Sequence, residues 1–208
     1  MHFLTEKIEF PDVYEASADG LIAIGGDLSP QRLLHAYSKG IFPWFQDEEP
    51  ILWWSPDPRF VLFPEQLKVS KSMKQVLRNS DFEITVNKDF EAVISNCSKM
   101  KRDGQQGTWI TNAMKTAYLK LHEQGVAKSV EVWLNEELVG GLYGIDLNNG
   151  IFCGESMFSK VSNASKVGFM SFIQNTNYKL IDCQVYTNHL ASLGAEDISR
   201  EAFLKYLS

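Results

Sequence analysis

Hydrophobic and polar positions change period several times along the chain. After Ser29-Pro30, Leu33, Leu34 and Tyr37 recur at helical spacing until Gly40. Serine as N-cap, proline in the first turn and a closing glycine mark one helix. The segment GIFPWFQDEEPILWWSPDPRF then holds four of the seven prolines and three of the five tryptophans. It reads as aromatic loops and short strands. Around Pro56 to Pro64 the character changes to alternating helices and strands. Helices are predicted near Ser70–Asn79, from about Lys88, over Asn112–Gln124 with Gly125 as the stop, near Asn163–Gln174, and after Ser199. Strands are predicted at Phe82–Val86, Ser129–Leu134, Leu138–Ile145, Gly150–Glu155 and Lys179–Val185. Asn135-Glu136 and Asn148-Asn149-Gly150 have hairpin-turn chemistry. The pattern predicts an α+β protein with an antiparallel component. A small N-terminal domain is expected over residues 1–58 and a larger one over 59–208.

Charge adds one asymmetry. The net charge of −6 arises entirely within the first 60 residues, which hold ten acids against four bases. This is not the global footprint of a nucleic-acid binder. One local exception is Gln66 to Ser80, which has no acid but carries Lys68, Lys71, Lys74 and Arg78. Lys71, Lys74 and Arg78 share one helical face, with Met73, Val76 and Leu77 on the other. Two readings stand side by side here, an ordinary solvated face and a phosphate-contacting ridge. Three cysteines without CxxC spacing point to a reducing compartment, and a cytoplasmic protein is expected. No apolar run is long enough for a membrane span, and MHFLTEKIEF lacks signal-peptide character. The four histidines are scattered without metal-ligand spacing, so no metal site is expected. Phosphate-loop glycine patterns are missing, and no cofactor is expected.

The strand LIDCQV is the most informative stretch. Alternation puts Asp182 and Gln184 on one face and Ile181, Cys183 and Val185 on the other. Two polar groups in so apolar a strand are either hydrogen-bonded structural groups or the lining of a cavity. Cys183 falls on the apolar side and reads as a small hydrophobe. In FCGESMF, Gly154 permits close approach, and Glu155 is either a cation-gripping carboxylate or a turn residue. Strict alternation separates Phe152 from Glu155, so both can line one pocket only if the strand bends or bulges. Trp44, between Pro43 and Phe45, is the best stacking candidate among aromatics that mostly read as core.

The ordered motifs DGLIAIGGDLSPQRLL, YSKGIFPWF, ILWWSPDPR, GTWIT, ELVGGLYG, FCGESMF, NASK, KLIDCQV and HLASLGA carry a resemblance. Together they resemble the bacterial leucyl/phenylalanyl-tRNA–protein transferase family, from about residue 20 to about residue 196. The resemblance implies a small N-terminal domain on a larger GNAT-like acyltransferase domain with a mixed, largely antiparallel sheet, acting without coenzyme A. It implies transfer of Leu or Phe, less readily Met, from aminoacyl-tRNA to proteins with N-terminal Arg or Lys, which creates a degradation signal. It makes Asp182 and Gln184 the catalytic pair and turns Glu155 toward the acceptor's cationic N-terminus. It places Tyr37, Trp44 and Trp109 near the tRNA 3′-adenosine and aminoacyl group. Leu142, Phe152, Phe169, Phe172 and Ile181 become the aminoacyl side-chain pocket, and Lys71, Lys74 and Arg78 the acceptor-arm contacts. A monomer is expected. Two departures from the family pattern are the short connection Asn175-Thr176-Asn177-Tyr178 and Leu142 where methionine is familiar. Two other readings of the same residues are an acyl-CoA-dependent acyltransferase and a non-catalytic RNA- or peptide-binding module.

Overall fold

A computed structural model describes residues 2–100 and 109–207; Gly107 and Thr108 of the GTWIT motif lie outside them. Among the described residues the elements run β1 (His2–Leu4), β2 (Leu21–Gly25), α1 (Pro30–Ser38), β3 (Phe42–Pro43), β4 (Leu52–Trp54) and β5 (Arg59–Leu62). Next come α2 (Lys71–Asn79), β6 (Glu83–Val86), α3 (Phe90–Lys99), α4 (Asn112–Glu123), β7 (Ala127–Leu134), β8 (Glu137–Asp146) and β9 (Ile151–Ser159). The chain closes with α5 (Ala164–Gln174), β10 (Leu180–Gln184), α6 (Asn188–Ser192), β11 (Glu196–Ile198) and α7 (Arg200–Leu207).

The caps predicted for the Pro30–Ser38 helix work as the local chemistry requires, and others not predicted work alike. The Ser29 hydroxyl accepts from the Arg32 N–H and starts α1, and Gly40 adopts φ +73° beyond its end. Ser70, Asp89 and Thr111 cap α2, α3 and α4 through their side-chain oxygens. Asn135 and Glu136 both have positive φ, the turn that matches the twist of a two-residue hairpin between β7 and β8. Three short pieces, β1, α6 and β11, have too few residues to show a period and were not legible in the sequence pattern.

Two sheets result. The first, in the order β1-β2-β4-β3, uses strands from residues 2–54; the second runs β11-β5-β10-β9-β8-β7-β6. In the second sheet β9 and β10 pair in parallel across the α5 crossover, and the other neighbours are antiparallel. One face of this sheet packs on α5 and α2, through Leu142, Phe152, Ile181, Phe169 and Met73. The other packs on α3, α4, α1 and the first sheet. There Tyr143, Ile145 and Leu180 share a core with Phe90, Tyr118, Leu33 and Trp53. The two sheets are therefore joined by one apolar interior. Arg200 ties the seam: its guanidinium donates to the Ser55 carbonyl at 2.7 Å, and its N–H donates to Asp57 at 3.0 Å. No helix among the described residues is long and apolar enough to cross a membrane.

Candidate active site

The site arises where two parallel strands part. Pairing of β9 with β10 stops at Cys153 opposite Asp182, although β9 continues to Ser159. Both strands are irregular at this point. On β9, Ser156 faces Tyr143 and Gly154 faces Gly144, so Glu155 is an extra residue with no partner on β8. On β10, Asp182 faces Val61 and Gln184 faces Phe60, so Cys183 is extra, and Gln184 takes φ +65°. Paired bulges of this kind bend strands and re-aim side chains. A cavity of about 490 Å³ fills the split. Leu142, Phe152, Phe169 and Ile181 form one wall and Phe42, Trp44 and Trp109 another; Glu155, Asp182 and Gln184 are its polar end. The bulge thus lets Phe152 and Glu155 line the same space, as strict alternation would forbid.

Glu155 is buried, and its two oxygens accept three hydrogen bonds. Tyr37 Oη donates to Oε1 at 2.7 Å, Gln184 Nε2 to Oε1 at 2.8 Å, and Tyr118 Oη to Oε2 at 3.0 Å. The two phenols also hydrogen-bond one another. Burial pushes the Glu155 carboxyl up from 4.5 to about 7; the bonds from Tyr37 and Tyr118 oppose this, and the Asp182 charge adds to it. Both tyrosines are raised well above their ordinary value, by burial first and then by the Glu155 charge, so they remain neutral donors.

Asp182 stands in a different environment. Arg59 grips it in a two-pronged ion pair, Nε to Oδ1 at 2.8 Å and Nη2 to Oδ2 at 2.7 Å, with both side chains buried. Oδ1 also accepts the Gln184 backbone N–H at 2.9 Å. Burial pulls the Arg59 guanidinium down, but the Asp182 charge, the hydrogen bonds to Asp182 and the nearby acidic groups together outweigh it, and the net shift is upward. Cys183 packs with the apolar cluster around Ile181, and burial, then the Asp182 charge, pushes its thiol well up. A thiolate nucleophile has no support there.

The remaining predicted residues separate by location. Trp44 lies at the rim with 37% of its surface exposed, and Trp109 is a buried wall. Tyr37 lies behind Glu155 and does not line the cavity; it reaches the site through its hydroxyl. Phe172 likewise supports the wall from behind, edge-on to Phe152 at 4.8 Å between ring centres. Tyr178, from the short connection before β10, packs on the same two rings. Lys71, Lys74 and Arg78 are exposed on α2, outside the cavity, and Met73 is buried beneath them.

Two site members went unread in the sequence. Tyr118 belongs to an ordinary amphipathic helix, and nothing in its spacing points to Glu155. Arg59 had a signal: a guanidinium opening the apolar run RFVLF must be paired if the strand is buried.

The fold and cavity define an α+β protein whose candidate site lies in a split between two strands of its main sheet. The family model for leucyl/phenylalanyl-tRNA protein transferase matches residues 61–208, and the model for that family's N-terminal domain matches residues 26–57. The chain belongs to the leucyl/phenylalanyl-tRNA protein transferase family. A "Leucyl/phenylalanyl-tRNA--protein transferase" of Flavobacterium johnsoniae is 59% identical, covering 100% of this chain and 99% of the relative. Its namesake in Flavobacterium psychrophilum is 58% identical over the same shares, and that in Syntrophus aciditrophicus 55% identical over 96% and 84%. Likenesses to solved structures are slight. A GCN5-related N-acetyltransferase from Kribbella flavida aligns at 10% identity and TM-score 0.39, over 82% of this chain and 56% of that one. At that level it carries no weight for function.

Proposed function

We propose that this protein transfers leucine or phenylalanine, and less readily methionine, from aminoacyl-tRNA to the α-amine of proteins beginning with Arg or Lys. The observation that carries this reading is an apolar cavity with one buried carboxylate–amide end, in a chain of this family. The apolar wall suits a hydrophobic side chain such as those of leucine, phenylalanine and methionine. A pocket of this sort separates near-isosteres by only about 1–3 kcal/mol per methylene but rejects charged side chains strongly. Trp44 and Trp109 offer ring faces to the terminal adenosine. Lys71, Lys74 and Arg78 offer charge to acceptor-arm phosphates. Acylated acceptors would then serve as degradation signals in the cytoplasm.

The chemistry asks little of the protein. The ester is already activated, and an α-amine with pKa of about 7.7–8.0 is partly neutral at pH 7. The amine nitrogen attacks the ester carbonyl carbon and forms the new C–N bond. The amine proton passes to Glu155, whose pKa of about 7 suits that task. The C–O bond to the terminal ribose breaks, and the proton returns to the departing ribose oxygen. Asp182, held in its ion pair, is an orienting group; Gln184 orients the amine or the carbonyl. Holding amine and ester together could supply up to about 7–11 kcal/mol of the barrier reduction in ideal cases.

The test is transfer of labelled leucine from leucyl-tRNA to a peptide with N-terminal Arg, read by mass spectrometry against an N-terminal Ala peptide. Leucine on the Arg peptide alone is the expected result. Equal labelling of both peptides would overturn the acceptor rule, and intact leucyl-tRNA with either peptide would overturn the reaction.

A further inference from the structure

We infer that Arg59 is a positioning residue of this site: through Asp182 it fixes the main chain at Gln184 and so aims the Gln184 amide at Glu155. Gln184 has φ +65°, a conformation that side-chain-bearing residues rarely adopt. What holds it there is the Asp182 carboxylate, whose Oδ1 accepts the N–H two residues on at 2.9 Å. A carboxylate can rotate; this one cannot, because the guanidinium fork takes both oxygens at 2.7–2.8 Å and fixes their plane. Arg59 is in turn immobilised from the other side of the molecule. Its Nη1 donates to the Gly40 carbonyl at 3.2 Å, and its guanidinium lies 4.8 Å from the Phe42 ring centre and 4.6 Å from that of Phe203. Phe42 is itself a cavity wall. One side chain therefore sets the bulged strand β10 against the opposite wall.

The inference rests on the transfer reading for its kinetic assay and has a second readout that does not. Three variants are compared with wild type: Arg59→Lys, Asp182→Asn, and the double variant Arg59→Met with Asp182→Asn, which removes both charges and leaves no buried charge unpaired. Each is measured for kcat and KM toward the Arg peptide, for thermal melting, and for amide hydrogen exchange at Gln184. Lysine cannot grip both oxygens, so Arg59→Lys is expected to fold, to lose about tenfold or more in kcat, and to keep KM within about threefold. The double variant is expected to match Asp182→Asn within about threefold, because Arg59 acts through Asp182. Gln184 exchange is expected to quicken in all three while Ile181 exchange stays as in wild type. Wild-type kcat and Gln184 exchange in a folded Arg59→Lys protein would overturn the inference. So would a double variant at least tenfold slower than Asp182→Asn alone. Wild-type protein that transfers nothing, with Gln184 exchange responding as described, would sink the transfer reading and leave the clamp standing.

Discussion

At the scale of single residues, Glu155 and Asp182 show how surroundings assign different roles to two acids about one strand apart. Asp182 faces the Arg59 cation and the fixed Gln184 backbone N–H; Glu155 faces only neutral donors. The Glu155→Gln variant is expected to lose about 100-fold or more in kcat, within the usual range for removing a general base. In wild type, kcat/KM is expected to fall below about pH 7 more steeply than one proton explains, because Glu155 takes up a proton there in addition to the acceptor amine. An unchanged acid limb in steady-state profiles of the Gln variant would count against this role. Stability moves the other way. The carboxyl rises from 4.5 to about 7 on folding, so its contribution is most favourable below pH 4.5 and declines as pH climbs through 7. The loss is on the order of 3 kcal/mol. Glu155→Gln should therefore melt several degrees higher than wild type at pH 8, with little gain at pH 4.5, as calorimetry would show. The strand pattern already separated Cys183 from Asp182. It could not tell which acid was ion-paired and which met only neutral donors, because Arg59 and Asp182 lie 123 positions apart and Tyr118 and Glu155 lie 37 apart. Pairings across such distances leave no trace in periodicity.

At the scale of elements, the irregular strands do the positioning. Gly144 sits opposite the bulge, where an added Cβ would lie 2.3 Å from the Cys153 carbonyl and 2.6 Å from the Phe152 ring. Neither backbone nor a packed ring can yield that much room. Gly144→Ala is expected to cost about 2 kcal/mol or more and to disturb the Phe152 wall; urea denaturation gives the first and leucine transfer the second. The α2 helix presents the opposite case, a surface that carries charge without shaping the cavity. Changing Lys71, Lys74 and Arg78 together to Glu should leave melting within a few degrees and raise KM for aminoacyl-tRNA. Three phosphate contacts imply a slope of log K against log salt of about −3 or shallower, and the triple variant should lose most of it. An unaltered slope would reduce α2 to a solvated face. Helices were legible here because caps and apolar spacing coincide, as at Ser70 with Met73. The bulge at Glu155 was legible only as a condition, since periodicity says that alternation must fail there but not that it does.

At the scale of the whole molecule, the two sheets share one interior. Trp53 and Leu33 from the first 58 residues pack in the same cluster as Tyr143 and Leu180. A shared core couples stabilities, so both regions should melt in one transition. Trp53→Ala, which empties a fully buried site, is expected to cost about 3–5 kcal/mol and to lower the melting of the entire chain. Two separated calorimetric peaks would contradict that coupling. The ten acids of the first 60 residues are all exposed, in a region that packs on this core, while the exposed lysines and arginine of α2 belong to a helix on the other face of the main sheet. That division was visible as a count along the chain. Its meaning was not, because only the folded sheet shows which side each charge takes.

The extra residue at Glu155 has a meaning in the space of neighbouring sequences. Removing that one residue would set Ser156 beside Gly154, opposite Tyr143 and Gly144, and leave Met157 still opposite Leu142. The two strands would pair without interruption, and the buried carboxylate would be gone. An inert and better-ordered sheet thus lies a single codon away, and a library carrying that deletion should yield folded protein unable to transfer. Keeping the enzyme means keeping an insertion that the sheet alone would discard.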